Sequence, residues 1–192
     1  MDEKDGARRR PLRADAQLNE DRVLRAAAEA FTRDGVDASV KDIARAAGVG
    51  VGTLYRRFPS KELLVEATYR NEVRALCEAA PILAASSPPR EALRTWMVRF
   101  MEFMAAKHGM AAALRVVLSD EGERLQTRTD LTEAVHHLLG TGVARAGVTA
   151  RDVLMALGGI SLIAENDQDP ELAVRLIDLL LNGVLKAPTV SA

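Results

Sequence analysis

Apolar residues recur every three or four positions along most of the chain, which is the spacing of one face of an α-helix. The first such run begins near Asn19 and ends at Gly35. Its apolar face consists of Val23, Leu24, Ala27, Ala28 and Phe31. No segment shows the alternation with a period of two that a half-buried strand requires. The pattern therefore predicts an all-α protein.

Two short helices follow the first. Ser39 occupies the N-cap position of the second helix, and Gly48 ends that helix after barely two turns. The third helix, predicted at 53–58, has Leu54 and Phe58 four residues apart on its inner face. Two short helices that are joined by a glycine-containing turn and preceded by a longer helix have the outline of a helix-turn-helix.

Longer helices are predicted in the rest of the chain. A helix that begins at Ser60 is expected to end before Pro81, and the Pro- and Ser-rich stretch 81–89 is interpreted as a joint between domains. Beyond this stretch, helices are predicted at about 90–106, 109–118, 121–146, 149–164 and 169–185. Thr149 and Asp152 resemble a capping box at the start of one of these helices.

Composition agrees with a helical, soluble chain. Apolar residues make up 48% of the 192 residues and aromatic residues only 4%, so a core can form although residues that prefer strands are few. No apolar stretch is long enough to span a membrane, and the start of the chain lacks the apolar segment of a signal peptide. We therefore expect a cytoplasmic protein. Cys77, the single cysteine, excludes an internal disulfide and a multi-cysteine metal site.

Charge is unevenly distributed, although the net charge is only -1. Between Lys41 and Lys61 there are five basic residues and one acidic residue, Asp42. A second basic cluster surrounds Pro11. This cluster consists of Arg8, Arg9, Arg10 and Arg13. It is interpreted either as a solvated, disordered tail or as an arm that contacts nucleic acid.

The residues around the turn fit the geometry of a helix-turn-helix. Ala44 and Ala47 are small where the second helix must approach the third closely. Gly48 permits a left-handed turn, and Val49 can fill the angle between the two helices. The third helix then has an outer face with a hydroxyl, a phenol and two guanidinium groups that can hydrogen-bond to DNA. This face and its ends consist of Val51, Gly52, Thr53, Tyr55, Arg56 and Arg57.

The stretch DGVDASVKDIARAAGVGVGTLYRRFPSKELLVEA resembles the N-terminal domain of TetR-family transcriptional repressors almost from end to end. The resemblance covers about 19–69. It rests on Gly35, Ile43, Ala44, Ala47-Gly48-Val49, Thr53-Leu54-Tyr55, Phe58 and Lys61-Glu62-Leu63-Leu64. It implies a homodimeric regulator that binds a palindromic double-stranded DNA operator and responds to a small-molecule effector.

The resemblance also implies roles for individual residues. Contacts to phosphates or to the DNA backbone are expected from Ser39, Thr53, Tyr55 and Lys61, of which Thr53 and Tyr55 can also contact bases. Positions in the major groove are expected for Lys41, Val51, Gly52, Arg56 and Arg57. The helix start Gly50-Val51-Gly52 offers almost no polar side chain. We therefore expect more of the sequence discrimination to come from Lys41, from Thr53, from a contact of Val51 with a thymine methyl and from DNA shape.

The C-terminal part is similar to the C-terminal domains of SbtR-like members of the same family. The similarity lies in LLGTGVARAGVTARDVLMALGGISLI and DPELAVRLIDLLLNGV. Upstream, a cluster of large, soft side chains has two interpretations, which are ordinary core packing and the wall of a cavity for a largely apolar effector. The candidate effector-binding residues are Trp96, Phe100, Phe103, Met104, Met110 and Leu114.

The last two predicted helices carry more apolar surface than one subunit needs. In the stretch 172–185, apolar residues cover more than one helix face, and small residues in the preceding helix would let a symmetry-related helix approach closely. Homodimerisation through a four-helix interface is therefore expected, against the alternative of a monomer whose last helix is central to its own core. The predicted interface residues are Leu154, Leu157, Gly158, Ser161, Ile177, Leu180, Leu181 and Val184.

The sequence gives little support for a catalytic or metal-binding function. His136 and His137 are adjacent and would point about 100° apart on a helix, which is a poor arrangement for binding one metal ion. Glu165, Asp167 and Asp169 alternate through a loop but lack the glycine and the closing acid of an EF-hand. The sequence contains no nucleophile elbow, P-loop or dinucleotide-binding fingerprint. We therefore expect neither an enzyme nor a cofactor.

The chain is accordingly predicted to have a flexible basic arm at 1–18, a helix-turn-helix domain at 19–66 and a larger helical effector-binding and dimerisation domain at 67–192. The expected function is that of a repressor that a small effector releases from its operator. Two other classes remain open, namely a DNA-binding architectural protein without ligand response and an interaction module whose helix-turn-helix serves only packing. The same salt dependence on every DNA sequence would favour the first class, and no DNA binding the second.

Overall fold

Helices follow one another with short connections, as the periodicity predicts. The computed structural model describes residues 4–118, 121–140, 143–167, 169 and 171–186. In these ranges the helices are α1 (Lys4–Asp34), α2 (Val40–Ala46), α3 (Val51–Arg57), α4 (Lys61–Ser86), α5 (Pro89–Gly109), α6 (Ala111–Val117), α7 (Glu121–Leu139), α8 (Ala150–Asn166) and α9 (Leu172–Val184). A 3₁₀ helix, Gly35–Asp37, follows α1, and an isolated bridge pairs Ala144 with Leu185. The all-α prediction is confirmed.

Two compact units divide the chain. The first consists of Met1–Asn71 and Ala106–Ser119, and the second of Glu72–Ala105 and Asp120–Ala192. The division falls inside α4 and inside α5. It therefore lies neither at the predicted boundary after residue 66 nor at the predicted joint at 81–89, and it assigns α6 to the same unit as the helix-turn-helix.

The core of the first unit is built from the predicted apolar faces. The face of α1 is entirely buried and consists of Val23, Leu24, Ala27, Ala28 and Phe31. Ile43 of α2 and Leu54 of α3 are also buried. Helices α2 and α3 have seven residues each, which is too short for stability in isolation. Helix α2 packs on α1, and α3 packs on α2. Burial of each large apolar side chain contributes roughly 1.5–3 kcal/mol, so this packing stabilises both short helices.

Helix α1 is longer than predicted. Its backbone is helical from Lys4, so the expected start near Asn19 is wrong. The flexibility of the arm at 1–18 remains a prediction. Between Pro11 and Asn19 the chain consists of Leu, Arg, Ala and Gln with a single Asp. These residue types, Asp excepted, have high helix propensity. Local propensity therefore extends the helix beyond the segment in which apolar periodicity reveals it.

Two helix ends differ from prediction because of backbone chemistry. Helix α4 continues through Pro81. The fixed φ of proline is compatible with a helix, although the residue donates no backbone hydrogen bond and its ring crowds the carbonyl four residues earlier. Pro88, by contrast, disfavours helical conformation at Ser87, where the helix has ended. Helix α7 ends before Gly140, which has a positive φ of 52°, and does not reach the predicted position 146.

In the second unit, α8 packs against both α7 and α9, and α5 contributes a buried aromatic face. Trp96 of α5 is fully buried, and its indole N–H donates to the carbonyl oxygen of Leu76 at 2.9 Å. The predicted capping box at the start of α8 is confirmed. The Thr149 hydroxyl accepts from the backbone N–H of Asp152, and the Asp152 carboxylate accepts from the backbone N–H of Thr149.

Candidate DNA-binding surface

The turn between α2 and α3 has the predicted left-handed geometry. Gly48 has a φ of 67°, a conformation that a residue with a side chain rarely adopts. The backbone N–H of Gly48 donates to the Arg45 carbonyl at 3.1 Å, and that of Val49 donates to the Ala44 carbonyl at 3.0 Å. These bonds satisfy carbonyl groups at the end of α2, so they fix the direction in which the chain continues into α3.

The start of α2 is fixed by Ser39. Its hydroxyl oxygen accepts a hydrogen bond from the backbone N–H of Asp42 at 3.4 Å, which confirms the predicted N-cap. Asp42 also pairs with Arg45 at 2.5 Å. Because capping uses a lone pair of the Ser39 oxygen, the hydroxyl proton can still be donated to a phosphate. Ser39 and Lys41 are both exposed, as DNA contacts require.

Helix α3 is anchored by one face and exposes the other. Leu54 and the adjoining Phe58 are buried, and Val51 is half-buried at the helix start. The other residues predicted to contact DNA from this helix are all exposed: Gly52, Thr53, Tyr55, Arg56 and Arg57. The structure thus places these residues together on one short helix, with its orientation held by two buried side chains.

The two arginines of α3 have different surroundings. The guanidinium of Arg56 donates to the Thr53 hydroxyl at 3.1 Å, one turn earlier on the exposed face. Arg57 instead binds Glu20 of α1 through two hydrogen bonds, from Nε at 3.0 Å and from Nη2 at 2.7 Å. Hydrogen bonding to Glu20 and its negative charge raise the pKa of Arg57. Glu20 is 37 residues away in sequence, and no spacing rule could have revealed this pair.

Ser60 and Lys61 organise the start of α4. The Ser60 hydroxyl oxygen accepts from the backbone N–H of Leu63 at 3.3 Å. Hydrogen bonds from its own backbone N–H and from the Ser60 hydroxyl lower the pKa of Glu62. Lys61 is half-buried, and its ammonium group donates to the carbonyl oxygen of Val36 in the 3₁₀ helix. Lys61 therefore links two backbone segments of the first unit, and its role as a phosphate clamp remains a prediction.

The candidate effector-binding residues are all buried but are divided between the two units. The members in the second unit are Trp96, Phe100, Phe103 and Met104. The ring centroids of Trp96 and Phe100 are 5.6 Å apart, and those of Phe100 and Phe103 are 5.8 Å apart. Met110 and Leu114 belong to the first unit. The structure therefore brings the three aromatic rings together in the second unit. It places Met110 and Leu114 in the core of the helix-turn-helix unit.

Most of the predicted dimer-interface residues are covered by their own subunit. The buried ones are Leu157, Ser161, Ile177, Leu181 and Val184, and the half-buried ones are Leu154, Gly158 and Leu180. The five buried residues pack within their own subunit, and their assignment to the dimer interface remains a prediction. The large apolar residues that α8 and α9 expose are Met155, Leu162, Ile163, Val174 and Leu179. Apolar residues surround both helices, and periodicity alone could not distinguish the inner face from the outer one.

The histidines and acidic residues that the sequence offers as metal ligands lie in surroundings that do not resemble a metal site. His136 and His137 are exposed. The carboxylate of Asp169 accepts from Arg175 at 2.5 Å and from the backbone N–H of Glu171 at 2.9 Å. Within the part of the chain that the structure describes, His, Cys, Asp and Glu side chains form no group of three that could hold a metal ion. None of the described helices is long and apolar enough to cross a bilayer.

Comparison with protein families identifies both halves of the chain. The family model of bacterial regulatory proteins of the tetR family matches residues 23–68, which include the helix-turn-helix. The model of the C-terminal domain of SbtR-like transcriptional regulators matches residues 88–186, more than half of the chain. The chain therefore belongs to the TetR family of transcriptional regulators, with a C-terminal domain of the SbtR-like type.

Individual relatives agree with this assignment. The TetR transcriptional regulator SCO0520 from Streptomyces coelicolor is 42% identical, with a TM-score of 0.77 over 88% of this chain and 99% of that protein. The HTH-type transcriptional regulator SAR0097 from Staphylococcus aureus is 36% identical over 50% of this chain and 53% of the relative. The HTH-type transcriptional repressor KstR2 from Mycolicibacterium smegmatis is 34% identical over 55% and 50%, respectively. The chain thus spans about half the length of the curated relatives that it matches.

Proposed function

We propose that the protein is a repressor that binds a palindromic double-stranded DNA operator as a homodimer and leaves it when a small effector binds. The observation that carries this proposal is the exposed polar face of α3. Buried Leu54 and Phe58 hold that face outward, and the Gly48 turn fixes the angle to α2. A short helix fixed in this way suits the major groove, which is wide enough to admit one α-helix.

Sequence readout is assigned to the exposed face of α3 and to Lys41 of α2. Apart from its chain neighbours and the backbone of its own helix, no atom lies within 4 Å of the place that a Cβ of Gly52 would occupy, so its backbone can approach base edges closely. The methyl groups of Val51, next to it, can contact a thymine methyl. The guanidinium of Arg56, oriented by its hydrogen bond to Thr53, can form two hydrogen bonds with a guanine.

Phosphate contacts are assigned to Ser39, Tyr55 and Lys61. Each has a donor group that suits a phosphate oxygen, namely a hydroxyl, a phenol and an ammonium group. Tyr55 is 48% exposed, and Lys61 gives one of its three N–H donors to Val36. Contacts of this kind supply affinity and fix the register of the protein on the duplex, but they carry no sequence information.

The proposed dimer forms through the apolar stripe, which we define as Met155, Leu162 and Ile163 of α8 with Leu179 of α9. These side chains are 54–65% exposed, and leaving them in water is unfavourable. Met155 and Leu162 are seven residues apart, so they lie on one face of α8. Twofold association through this stripe would cover it and would present two α3 helices to two half-sites that are one helical turn, or a multiple of it, apart.

The proposed effector is a small, largely apolar molecule that binds beside the aromatic cluster of Trp96, Phe100 and Phe103. Rings of this kind offer apolar contact area, and the neighbouring Met104 adds an adaptable side chain. Repression, rather than activation, is supported by the relative KstR2, which is described as a transcriptional repressor. We place this activity in the cytoplasm, where the operator DNA is accessible.

A DNA protection experiment tests the proposal. The purified protein is incubated with the promoter region beside its own gene, and we expect one protected segment with twofold symmetry. Arg56→Ala should abolish protection, whereas Arg99→Ala, which removes an exposed arginine of α5 in the second unit, should leave it intact. Equal binding to every sequence would instead indicate an architectural protein, and no binding to any DNA would indicate an interaction module; either result contradicts the proposal.

A further inference from the structure

Glu20 of α1 binds Arg57, the last residue of α3. Its carboxylate accepts two hydrogen bonds from the guanidinium of Arg57, which also lies over the ring of Phe58 at 5.5 Å from the ring centroid. The side chain of Arg57 is 62% exposed, whereas that of Glu20 is only 21% exposed. The carboxylate is therefore partly enclosed by the protein, and the guanidinium reaches it from the solvent.

Arg57 lies at the edge of the exposed face of α3 and not at its centre. With about 100° of rotation per residue, Arg56 is about 40° around the helix from Gly52, whereas Arg57 is about 140° from it. Arg57 is about 60° from Leu54, which marks the buried face. Its side chain thus leaves α3 on the side of α1, where Glu20 binds it.

We infer that Glu20 is a positioning residue that withholds Arg57 from DNA and so lowers the electrostatic affinity of the protein for any DNA sequence. This inference rests on the proposed function. Arg57, although the resemblance assigns it to the DNA surface, is occupied and neutralised by Glu20. Nonspecific affinity arises mainly from contacts between cations and phosphates, whereas the operator is distinguished by groups that reach base edges. Neutralising one positive charge per subunit lowers the affinity for operator DNA and for random DNA by similar factors and leaves the base contacts of α3 unchanged.

The experiment measures binding of the full chain to a fluorescently labelled duplex of random sequence at several salt concentrations. Glu20→Gln frees the guanidinium, and we expect the affinity at low salt to rise about fivefold, as for one unit charge acting at contact distance in water. The plot of log K against log salt should steepen by about one unit per bound subunit. Glu29→Gln is the matched control, because it removes the same charge from an exposed position about 180° around α1.

A double-mutant cycle with Arg57→Gln shows whether the effect of Glu20→Gln on DNA affinity depends on Arg57 or only on the net charge of the protein. Arg57→Gln alone leaves the Glu20 carboxylate unpaired and should weaken binding to random DNA, and adding Glu20→Gln should return the affinity to about the wild-type value without exceeding it. Circular dichroism establishes that each variant is folded. The inference is overturned if Glu20→Gln does not tighten binding, if Glu29→Gln tightens it equally, or if the double variant binds more tightly than the wild type. A wild-type protein that binds no DNA would overturn the proposed function and this inference with it.

Discussion

Gly109, the last residue of α5, lies directly against the main chain of Phe31 in α1. A Cβ atom on Gly109 would be 1.9 Å from the carbonyl oxygen of Phe31 and 2.8 Å from its carbonyl carbon. Both residues belong to the first unit. No side chain fits between these two backbone segments, so glycine at position 109 allows the end of α5 to pack against the end of α1.

Replacement of Gly109 should therefore cost stability. We expect Gly109→Ala to lower the free energy of unfolding by about 1–3 kcal/mol, because the added methyl group forces the backbone of α1 to move. Urea denaturation followed by circular dichroism measures the change. Gly52→Ala is the matched control, since its Cβ enters open space and alanine favours a helix by about 1 kcal/mol over glycine. Equal stability of the two variants would contradict the role of the Gly109 contact.

Gly52→Ala should have opposite effects on stability and on DNA binding. The variant should be at least as stable as the wild type, for the reason given above. Its affinity for the operator should fall, because the new methyl group occupies the place where the α3 backbone is proposed to approach base edges. Fluorescence anisotropy with an operator duplex measures the affinity. An unchanged affinity would show that Gly52 does not enter the groove.

Lys61→Ala should weaken binding to operator DNA and to random DNA by similar factors. A phosphate contact carries no base information, and its loss should flatten the salt dependence by about one unit per subunit. Titrations at several salt concentrations test this. A loss confined to the operator would contradict the assignment. Tyr55→Phe tests the phenol hydroxyl separately, because it removes the donor and keeps the ring.

Leu179→Glu should split the proposed dimer without unfolding the subunit. Leu179 is 65% exposed, so a charge there remains in water in the monomer but would be buried in the interface. Sedimentation should show a monomer, and operator binding should be lost although Leu179 touches no DNA. Val116→Glu is the matched control, because Val116 is exposed in α6 outside the apolar stripe. A Leu179→Glu protein that remains dimeric would place the interface elsewhere.

An effector that binds beside the aromatic cluster should change the fluorescence of Trp96, the single tryptophan. The effector is identified by a thermal-shift screen, and it should lower operator affinity by the same factor by which the operator lowers effector affinity. Phe100→Ala should weaken effector binding because Phe100 stacks on Trp96. An effector that releases DNA but leaves both the fluorescence and the Phe100→Ala affinity unchanged would bind in another place.

The helix-turn-helix could be predicted closely because its determinants are local. The N-cap Ser39 and the turn residue Gly48 act on backbone groups within a few residues of themselves, so their spacing alone identifies them. The buried residues Leu54 and Phe58 follow in the same way from the helical period. Each of these four residues has the structural role that its position in the sequence predicts.

Features that depend on distant parts of the chain could not be predicted. Leu179 and Leu181 are both leucines in one helix, and only the packing of the other helices decides that Leu181 is buried and Leu179 exposed. The pair of Glu20 and Arg57 joins residues that no periodicity relates. These cases explain why the helices themselves were predicted more accurately than the surfaces that they expose.

The bridge between Ala144 and Leu185 joins the segment before α8 to the residue that follows α9. The backbone N–H of Arg145 donates to the Val184 carbonyl at 2.8 Å, and that of Lys186 donates to the Val143 carbonyl at 3.1 Å. The start of α8 and the end of α9, the two helices that carry the apolar stripe, are therefore already linked by backbone hydrogen bonds in the single subunit. Surfaces that are already ordered lose less conformational entropy on association. The proposed dimer can consequently form at a lower protein concentration than one whose helices must first be fixed.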